Sequence, residues 1–232
     1  LAAARPADVL DVGCGWGELL LRIAAAAPSA SGSGVDTDER VLTRARAAAA
    51  ERGLAERVGF LRRSADELDE PADLVVCVGS SHALAGGQPA ALAGLLGLVR
   101  PGGQLLFGDG IWEPRGRVDE DLVYDDVLAL PDLAGMVEAA IDAGFRPLYV
   151  ETANHDEWDA FESGYLADDE EWLLTHAEHV DAARIRAAAD EHRTRWLRGY
   201  RNGLGFAYLT LGRPAAAAVD ASGPAPQMTR DH

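Results

Sequence analysis

The sequence contains no lysine. All 21 of its basic residues are arginine, against 38 aspartates and glutamates, which gives a formal net charge of −17. A surface this acidic repels phosphate backbones, so nucleic acid is a poor partner unless arginines cluster locally. Arginines do cluster between residues 184 and 201, but acids interrupt them at helical spacing, which is typical of a solvated helix face. We therefore expect no nucleic-acid partner.

Cysteine is nearly absent too. Cys14 and Cys77 are the two cysteines; they form neither a disulfide framework nor a metal-ligand spacing, and they fit a reducing cytoplasm. No apolar run approaches the roughly 18 residues of a membrane span, and no signal peptide opens the chain. We expect a cytoplasmic protein with no membrane partner. The chain starts at Leu1, directly before an apolar run, so we expect that an N-terminal segment is missing.

What the sequence does contain is a regular alternation of short apolar runs and helical patterns. This alternation predicts an α/β fold with a doubly wound, Rossmann-like sheet. The predicted strands are Asp8–Asp11, Gly34–Asp36, Val58–Leu61, Leu74–Val78, Gln104–Phe107, Pro147–Glu151 and Gly205–Leu211. The predicted helices are Trp16–Ala27, Asp38–Arg52, Gln88–Val99 and Pro131–Ala143.

Two segments depart from the alternation. Residues 109–130 predict a loop long enough to act as a lid. The mostly helical segment that follows the sixth strand predicts a cap, in which Trp158, Phe161 and Tyr165 share one helix face. That face either docks the cap on the body or contacts a ligand. The expected organisation is a core at 1–151, the helical cap at 152–203, the last strand at 204–213 and a flexible tail at 214–232.

The stretch "VLDVGCGWGELL", residues 9–20, places three glycines between a strand and a helix. Glycine permits positive φ and close approach of a ligand to the backbone, and the new helix offers unpaired N–H groups. A dinucleotide loop reads GxGxxG and needs glycine at position 18, where the chain has Glu18. An acid there also opposes a pyrophosphate at the helix N-terminus. A nicotinamide oxidoreductase is therefore disfavoured.

The observed pattern is D-x-G-x-G-x-G, which suits a ligand that carries an ammonium and a carboxylate. Asp11 can serve the ammonium, directly or through water, while the loop N–H groups suit the carboxylate. Asp36 ends the second predicted strand, where a carboxylate can accept both ribose hydroxyls of an adenosine. An amino acid joined to an adenosine describes S-adenosylmethionine.

Five stretches together resemble the successive motifs of class I S-adenosylmethionine-dependent methyltransferases, in order and at normal spacing. They are "VLDVGCGWGELLLRIA", "GSGVDTDERVLTRARAAAAERGL", "VGFLRRSADEL", "ADLVVCVGSSHALAGG" and "LVRPGGQLLFGD". The resemblance covers residues 8 to about 151 and resumes in the last strand. The region from "WDAFESGYL" to "RNGLGFAYLTLG" is similar to bacterial small-molecule methyltransferases with a helical insertion before that strand. The resemblance implies seven strands, mostly parallel with the last one antiparallel.

The resemblance also implies which residues hold the cofactor. Asp36 and Thr37 would bind the ribose. The family's third strand normally ends in Gly-Asp-Ala, whose acid bonds the adenine amino group; here Ser64 takes that place, Ala65 matches, and Asp66 is an alternative acid. Cys14 either belongs to the loop's binding surface or only packs. The residues implied to hold the methionine end of the cofactor are Asp11, Gly13, Cys14, Gly15 and Gly17. Val78 and Gly79, at the end of the fourth predicted strand, complete the implied cofactor site.

The chemistry is expected beyond the carboxyl ends of the strands, where ligands bind in open α/β sheets. His82 follows the fourth strand and is either a general base or a structural histidine. Since His176 and His179 lack a third ligand, no metal is expected. The expected reaction is methyl transfer to a small-molecule acceptor through oxygen, nitrogen, carbon or sulfur; the alternatives are another reaction or a sensor on the same fold. Both monomer and homodimer stay open. The candidates for acceptor contact are Asp109, Trp112, His155, Trp158 and Arg201.

Overall fold

A computed structural model describes residues 7–215 of the chain; most of the predicted tail lies outside these residues. The described part is built on a seven-stranded sheet with the order β3-β2-β1-β4-β5-β7-β6. The strands are β1 Asp8–Val12, β2 Ser31–Asp36, β3 Val58–Arg62, β4 Ala72–Val78, β5 Val99–Trp112, β6 Arg146–Thr152 and β7 Leu204–Gly212.

The strand directions confirm the predicted fold. Strands β1 to β5 pair in parallel, and β7 lies antiparallel between β5 and β6. Strand β1 pairs with β2 on one side and with β4 on the other, so the connections leave the centre of the sheet in opposite directions. A crevice opens at such a switch point, beyond the carboxyl ends of the strands.

Seven α-helices accompany the sheet in the described part of the chain. They are α1 Glu18–Ala26, α2 Glu39–Glu51, α3 Gly87–Leu98, α4 Asp125–Leu128, α5 Leu133–Asp142, α6 His155–Thr175 and α7 Ala182–Thr194. Local chemistry sets several starts. Asp38 caps α2 by accepting the Arg40 N–H, and Asn154 and Glu157 form a reciprocal capping box at α6. These caps satisfy N–H groups that have no partner inside the helix.

The core has two layers, one on each face of the sheet. Helices α1 and α2 bury Leu20, Leu21 and Leu42 on one face, while the other cluster contains Phe107 and Phe145. Burying a side chain of this size stabilises the fold by about 1.5–3 kcal/mol relative to leaving it exposed. Both faces of the central strands are thereby covered, which is why these strands read as nearly continuous apolar runs.

The predicted loop at 109–130 is shorter than expected. Its first four residues, Asp109–Trp112, extend β5 and pair with residues 204–207 of β7. Asp109 and Gly110 interrupt the apolar run, so the sequence predicts that the strand ends before them. The strand continues because β7, its antiparallel neighbour, supplies the backbone hydrogen bonds. The remainder of the segment contains a 3₁₀ turn at Glu120–Leu122 and the short helix α4.

The helical insertion lies between β6 and β7 and consists of α6, α7 and a π-helical turn at Arg195–Tyr200. Of its predicted aromatic face only Trp158 is partly buried, where it stacks on Phe206 of β7. Phe161 and Tyr165 are 60% and 67% exposed, so they do not dock the cap on the body. The buried residues of α6 are Glu162, Leu166 and Leu173.

Candidate active site

The glycine loop after β1 has the geometry that its sequence predicts. Gly13, Gly15 and Gly17 all have positive φ, at 70°, 53° and 76°. A Cβ on Gly13 would lie 2.3 Å from the Cβ of Ser80, so this position admits no side chain. A Cβ on Gly15 would meet no atom within 4 Å. The loop therefore packs tightly at Gly13 and presents an accessible backbone at Gly15.

Two carboxylates flank this loop. Asp36 accepts the N–H of Gly15 at 3.0 Å and that of Asp38 at 2.9 Å. Asp11 is 4% exposed, and within residues 7–215 neither carboxylate forms a salt bridge. Burial, followed by the negative charge of Asp36, raises the pKa of Asp11 to about 7. A cation bound here would be favoured, because it would relieve both effects.

Cys14 lies in the same loop. Burial is the main reason that the pKa of its thiol rises to about 12, and the nearby charges of Asp11 and Asp36 add to the effect. At neutral pH the group is a neutral thiol, which acts neither as a nucleophile nor as a metal ligand.

A cleft of about 480 Å³ opens beside the loop. Its wall includes seven of the residues predicted to contact the cofactor or to act in catalysis: Gly13, Asp36, Thr37, Ser64, Ala65, Gly79 and His82. Arg63, Ser80 and Ala83 also line it and were not predicted. The side chain of Asp66 is exposed and does not belong to this wall. Ser64 has a structural role as well, because it caps the 3₁₀ turn at Ala65–Glu67.

His82 lies on a 3₁₀ turn, Ser81–Ala83, directly after β4. Hydroxyls hold this segment in place. Ser80 donates to the carbonyl of Val12 at 2.6 Å, and Ser81 donates to the carboxylate of Asp109. Asp109 also accepts the N–H of Gly110. Its contact with Ser81 holds the turn that carries His82. The His82 side chain itself is exposed at the cleft.

The residues proposed for acceptor contact do not share the cleft of His82. His155, Trp158 and Arg201 line a separate cleft of about 30 Å³ between the cap and the ends of β5 and β7. Arg201 is bound there by both oxygens of Asp159, at 2.8 and 2.6 Å. Trp112 lies against Gly203, where a Cβ would come within 2.4 Å of the indole. The structure thus places His82 and these acceptor candidates in two separate clefts.

One polar cluster lies wholly inside the cap and was missed. Glu162 is 4% exposed and contacts the Nε2 of His192 at 2.7 Å. The hydroxyl of Tyr200 donates to the other oxygen of Glu162 at 3.0 Å. The available signal was helical spacing, since Glu162 lies four residues after Trp158 and four before Leu166. This spacing places the Glu162 carboxylate on the buried face of α6.

Within residues 7–215 there is no group of three or more histidine, cysteine, aspartate or glutamate side chains arranged to hold a metal ion. In the same part of the chain, no helix is both long enough and apolar enough for a membrane span.

Comparisons with known proteins support the assignment of the fold and the loop. Residues 9–103 match the family described as "Methyltransferase domain". The chain is 28% identical over 208 residues to the uncharacterized protein YjhP of Escherichia coli (strain K12), covering 88% of this chain and 83% of that protein. The X-ray structure of YjhP superposes with a TM-score of 0.77 at 26% identity, covering 90% of this chain and 86% of that one.

Two further structures are similar, and both are S-adenosylmethionine-dependent methyltransferases in complex with S-adenosyl-L-homocysteine. The protein from Geobacter sulfurreducens has a TM-score of 0.76 at 26% identity. The protein from Thiobacillus denitrificans has a TM-score of 0.76 at 27% identity. In each case the match covers 88% of this chain and 84% of the other.

The fold and the glycine loop define a Rossmann-like nucleotide-cofactor protein. Together with the comparisons, they bear out the resemblance that the sequence motifs indicate: residues 9–103 match a methyltransferase domain, and the chain is similar over most of its length to S-adenosylmethionine-dependent methyltransferases.

Proposed function

We propose that this protein transfers the methyl group of S-adenosylmethionine to a small-molecule acceptor in the cytoplasm, with the cofactor in the 480 Å³ cleft. The observation that carries the proposal is the pair of carboxylates, Asp11 and Asp36, beside an accessible glycine backbone. Neither has a basic partner among the described residues, and a cationic amino acid attached to a ribose needs both. Two similar structures are complexes with S-adenosyl-L-homocysteine, which supports the same ligand for this chain.

Each end of the cleft suits one part of the cofactor. Asp11 would hold the ammonium, and the N–H groups of the loop at Gly13, Cys14, Gly15 and Gly17 would face the carboxylate. Asp36 and Thr37 would take the ribose, with Ser64 and Ala65 at the adenine. In this arrangement Val78 and Gly79 close the side that faces β5. Some predicted residues adjoin the cleft without lining it, namely Asp11, Cys14, Gly15, Gly17 and Val78. Asp66 is the weakest member of the predicted set, since its side chain is both exposed and outside the cleft wall.

When bound, the cofactor supplies an electrophilic methyl group, so holding an acceptor lone pair in line provides much of the acceleration. His82 would take the proton that a hydroxyl or carbon acid loses on methylation. Its position on a turn fixed by the Ser81–Asp109 contact supports this role. Asp109 then acts through Ser81, as a positioning residue.

The acceptor is proposed to be small because the net charge of −17 disfavours nucleic acid. His155, Trp158 and Trp112 remain proposed contacts on the acceptor side. Arg201 is the least suited of that group, because Asp159 already occupies its guanidinium. The alternative on the same fold is a different reaction or a sensor role.

Calorimetry and isotope transfer test the proposal. S-adenosyl-L-homocysteine should give a binding isotherm with folded protein; absence of binding heat would contradict the cofactor site. Incubation with methyl-labelled S-adenosylmethionine and a metabolite extract should place label in a small product. Label in RNA or protein would refute the small-molecule acceptor, and absence of label would favour the sensor.

The role of His82 is tested with the acceptor that this experiment identifies. His82→Ala should lower turnover by about 10²–10⁴-fold, the usual contribution of a general base. Its affinity for S-adenosyl-L-homocysteine should be unchanged. His176→Ala is the matched control, because His176 is an exposed histidine at the end of α6. Equal turnover in both variants would remove His82 from the mechanism.

A further inference from the structure

Four aromatic rings form a continuous row from the sheet onto the cap. Tyr208 and Phe206 of β7 lie 5.0 Å apart, Phe206 and Trp158 lie 6.2 Å apart, and Trp158 and Phe161 lie 5.4 Å apart, measured between ring centroids. Trp158 is inclined by only 26° to Phe206 and by 23° to Phe161. We call these four residues the aromatic row. Its two ends are accessible, with Tyr208 38% and Phe161 60% exposed.

The aromatic row begins beside the proposed cofactor cleft. A Cβ on Gly108 would lie 2.9 Å from Phe206 and 3.2 Å from Tyr208, so both rings rest directly on this glycine of β5. The carbonyl of Gly108 accepts the N–H of Gly79 at 2.8 Å. Gly79 is part of the cofactor cleft wall. Gly108 of β5 therefore lies between the row and that wall and contacts both.

The row also carries a polar group that has no partner. The indole Nε1 of Trp158 is buried and has no hydrogen-bond acceptor within residues 7–215. A buried donor of this kind costs free energy until it finds an acceptor. The adjoining cleft of about 30 Å³ has room for little more than water. A ligand ring must therefore lie over the accessible faces of the row.

The charge around the row is negative. Glu157 and Glu151 lie close enough to the Tyr208 hydroxyl that, after burial, their charges help to raise its pKa. The guanidinium of Arg201, which lines the adjoining cleft, is neutralised by Asp159. An anionic ligand would be repelled, whereas a neutral or cationic one would be tolerated or attracted.

We propose that the aromatic row is the acceptor-binding surface, and that it takes a planar ring compound that is uncharged or cationic. This inference rests on the proposed methyl transfer and names the substrate class for it. The ring stacks on Phe206 and Tyr208, next to the cofactor cleft. Stacked ring pairs favour this arrangement over an aliphatic ligand of the same area.

Ligand-observed NMR with simple probes tests the inference on the full chain, with and without S-adenosyl-L-homocysteine. We expect phenol and tyramine to bind, and benzoate and cyclohexylamine to bind more weakly than tyramine. Phe206→Leu keeps an apolar side chain but removes the ring, so it should weaken tyramine binding by about two- to tenfold. Tyr208→Leu provides a second variant, because Tyr208 is 38% exposed and is the other ring of the proposed stacking pair; it should keep the fold and weaken tyramine binding in the same way.

Tyr165→Leu is the matched control, because Tyr165 is an exposed ring on the same helix but outside the row. It should leave tyramine binding unchanged. Equal tyramine binding by Phe206→Leu, Tyr208→Leu and wild type, or equal binding of benzoate and tyramine, would overturn the inference. If the row instead pairs two copies of the chain, Phe161→Asp would change the sedimentation coefficient, and this too would overturn it.

Calorimetry with S-adenosyl-L-homocysteine separates this inference from the proposed function. Normal product binding together with loss of every ring interaction would overturn only the acceptor assignment. Failure of the product to bind wild-type protein would overturn the proposed function itself.

Discussion

The cofactor loop and the helical cap each contain a deeply buried carboxyl group, Asp11 and Glu162, and both are 4% exposed. Their surroundings differ. Glu162 contacts His192 and Tyr200, whereas Asp11 has no salt-bridge partner within the described residues and lies near a second acid, Asp36. Equal burial therefore does not mean equal function.

The difference shows how a structural acid is distinguished from a binding acid. Burying a charged group is costly unless partners compensate for it. The cap supplies those partners from its own helices, so Glu162 joins α6 to α7 and to the π-helical turn. In the part of the chain that the structure describes, the loop supplies no such partner to Asp11, so a bound ligand would have to offset the cost of burying its charge. Four variants test this comparison.

The largest effect is expected inside the cap. His192→Ala leaves Glu162 with only the Tyr200 hydroxyl, and breaking a buried pair on one side costs about 3–5 kcal/mol. Because the His192 side chain is 27% exposed, we expect the lower value, about 3 kcal/mol of unfolding free energy, in urea denaturation. His176→Ala should change little. Unaltered stability of His192→Ala would show that the cluster is not structural.

A smaller effect, on binding rather than stability, is expected at Asp36. Asp36→Ala removes charge-assisted hydrogen bonds and should weaken S-adenosyl-L-homocysteine binding by about 1.5–3 kcal/mol in calorimetry. Asp38→Ala is the control, since Asp38 caps α2. It should lower thermal stability but leave affinity unchanged. Full affinity in Asp36→Ala would place the ribose elsewhere.

The next prediction concerns pH. With its pKa near 7, Asp11 is mostly protonated at pH 6 and mostly ionised at pH 8, so affinity for the ammonium-bearing product should rise about tenfold between them. Asp11→Asn should flatten the profile. A wild-type profile that is already flat would exclude Asp11 as the ammonium partner.

The same shift affects the free protein in the opposite direction. Folded Asp11 keeps its proton up to about pH 7, whereas the unfolded residue loses it near its usual value of 3.8. The free energy of unfolding therefore decreases as pH rises through this window. Asp11→Asn should consequently be more stable than wild type above pH 7, which urea denaturation can measure.

The smallest effect is expected at Glu18, a half-buried acid paired with two exposed arginines, Arg52 at 2.6 Å and Arg22 at 2.7 Å. The hydrogen bond from Arg52 is the main cause that lowers its pKa to about 2, so the pairs stabilise above its usual pKa and are lost as pH falls toward 2. Exposed pairs contribute little. Glu18→Gln should shift the melting temperature slightly and leave product affinity unchanged; a large loss of affinity would make Glu18 a ligand contact.

Most of the fold could be predicted from the sequence, because central parallel strands read as apolar runs and glycines mark the cofactor loop. The errors have physical causes. The Asp109–Trp112 end of β5 depends on pairing with a strand about a hundred residues later. The first part of β2 is "SGS", which has little strand propensity; a Cβ on its Gly32 would lie 2.8 Å from Leu20, so packing of α1 selects the residue.

In the candidate site, the cofactor loop could be predicted from the sequence but the contacts of the cap could not. Asp11, Asp36 and the loop glycines follow from local spacing, and the structure places them together. The position of His82 relative to the cap could not be predicted, because it depends on how α6 packs against β7. The Glu162 cluster joins residues 30 and 38 positions apart, and no local pattern encodes such a contact.

The electrostatics of the loop have a consequence for redox chemistry. Oxidants and alkylating reagents attack the thiolate. Burial of Cys14, and then the two acids beside it, raise the pKa of its thiol and hold it almost wholly protonated at neutral pH. The carboxylates that would receive a cationic cofactor thus also shield the loop's sulfur from peroxide. Burial provides most of this protection, and the negative charges add to it. Once a bound ammonium offsets the acids, the remaining protection comes from burial and from the ligand covering the loop.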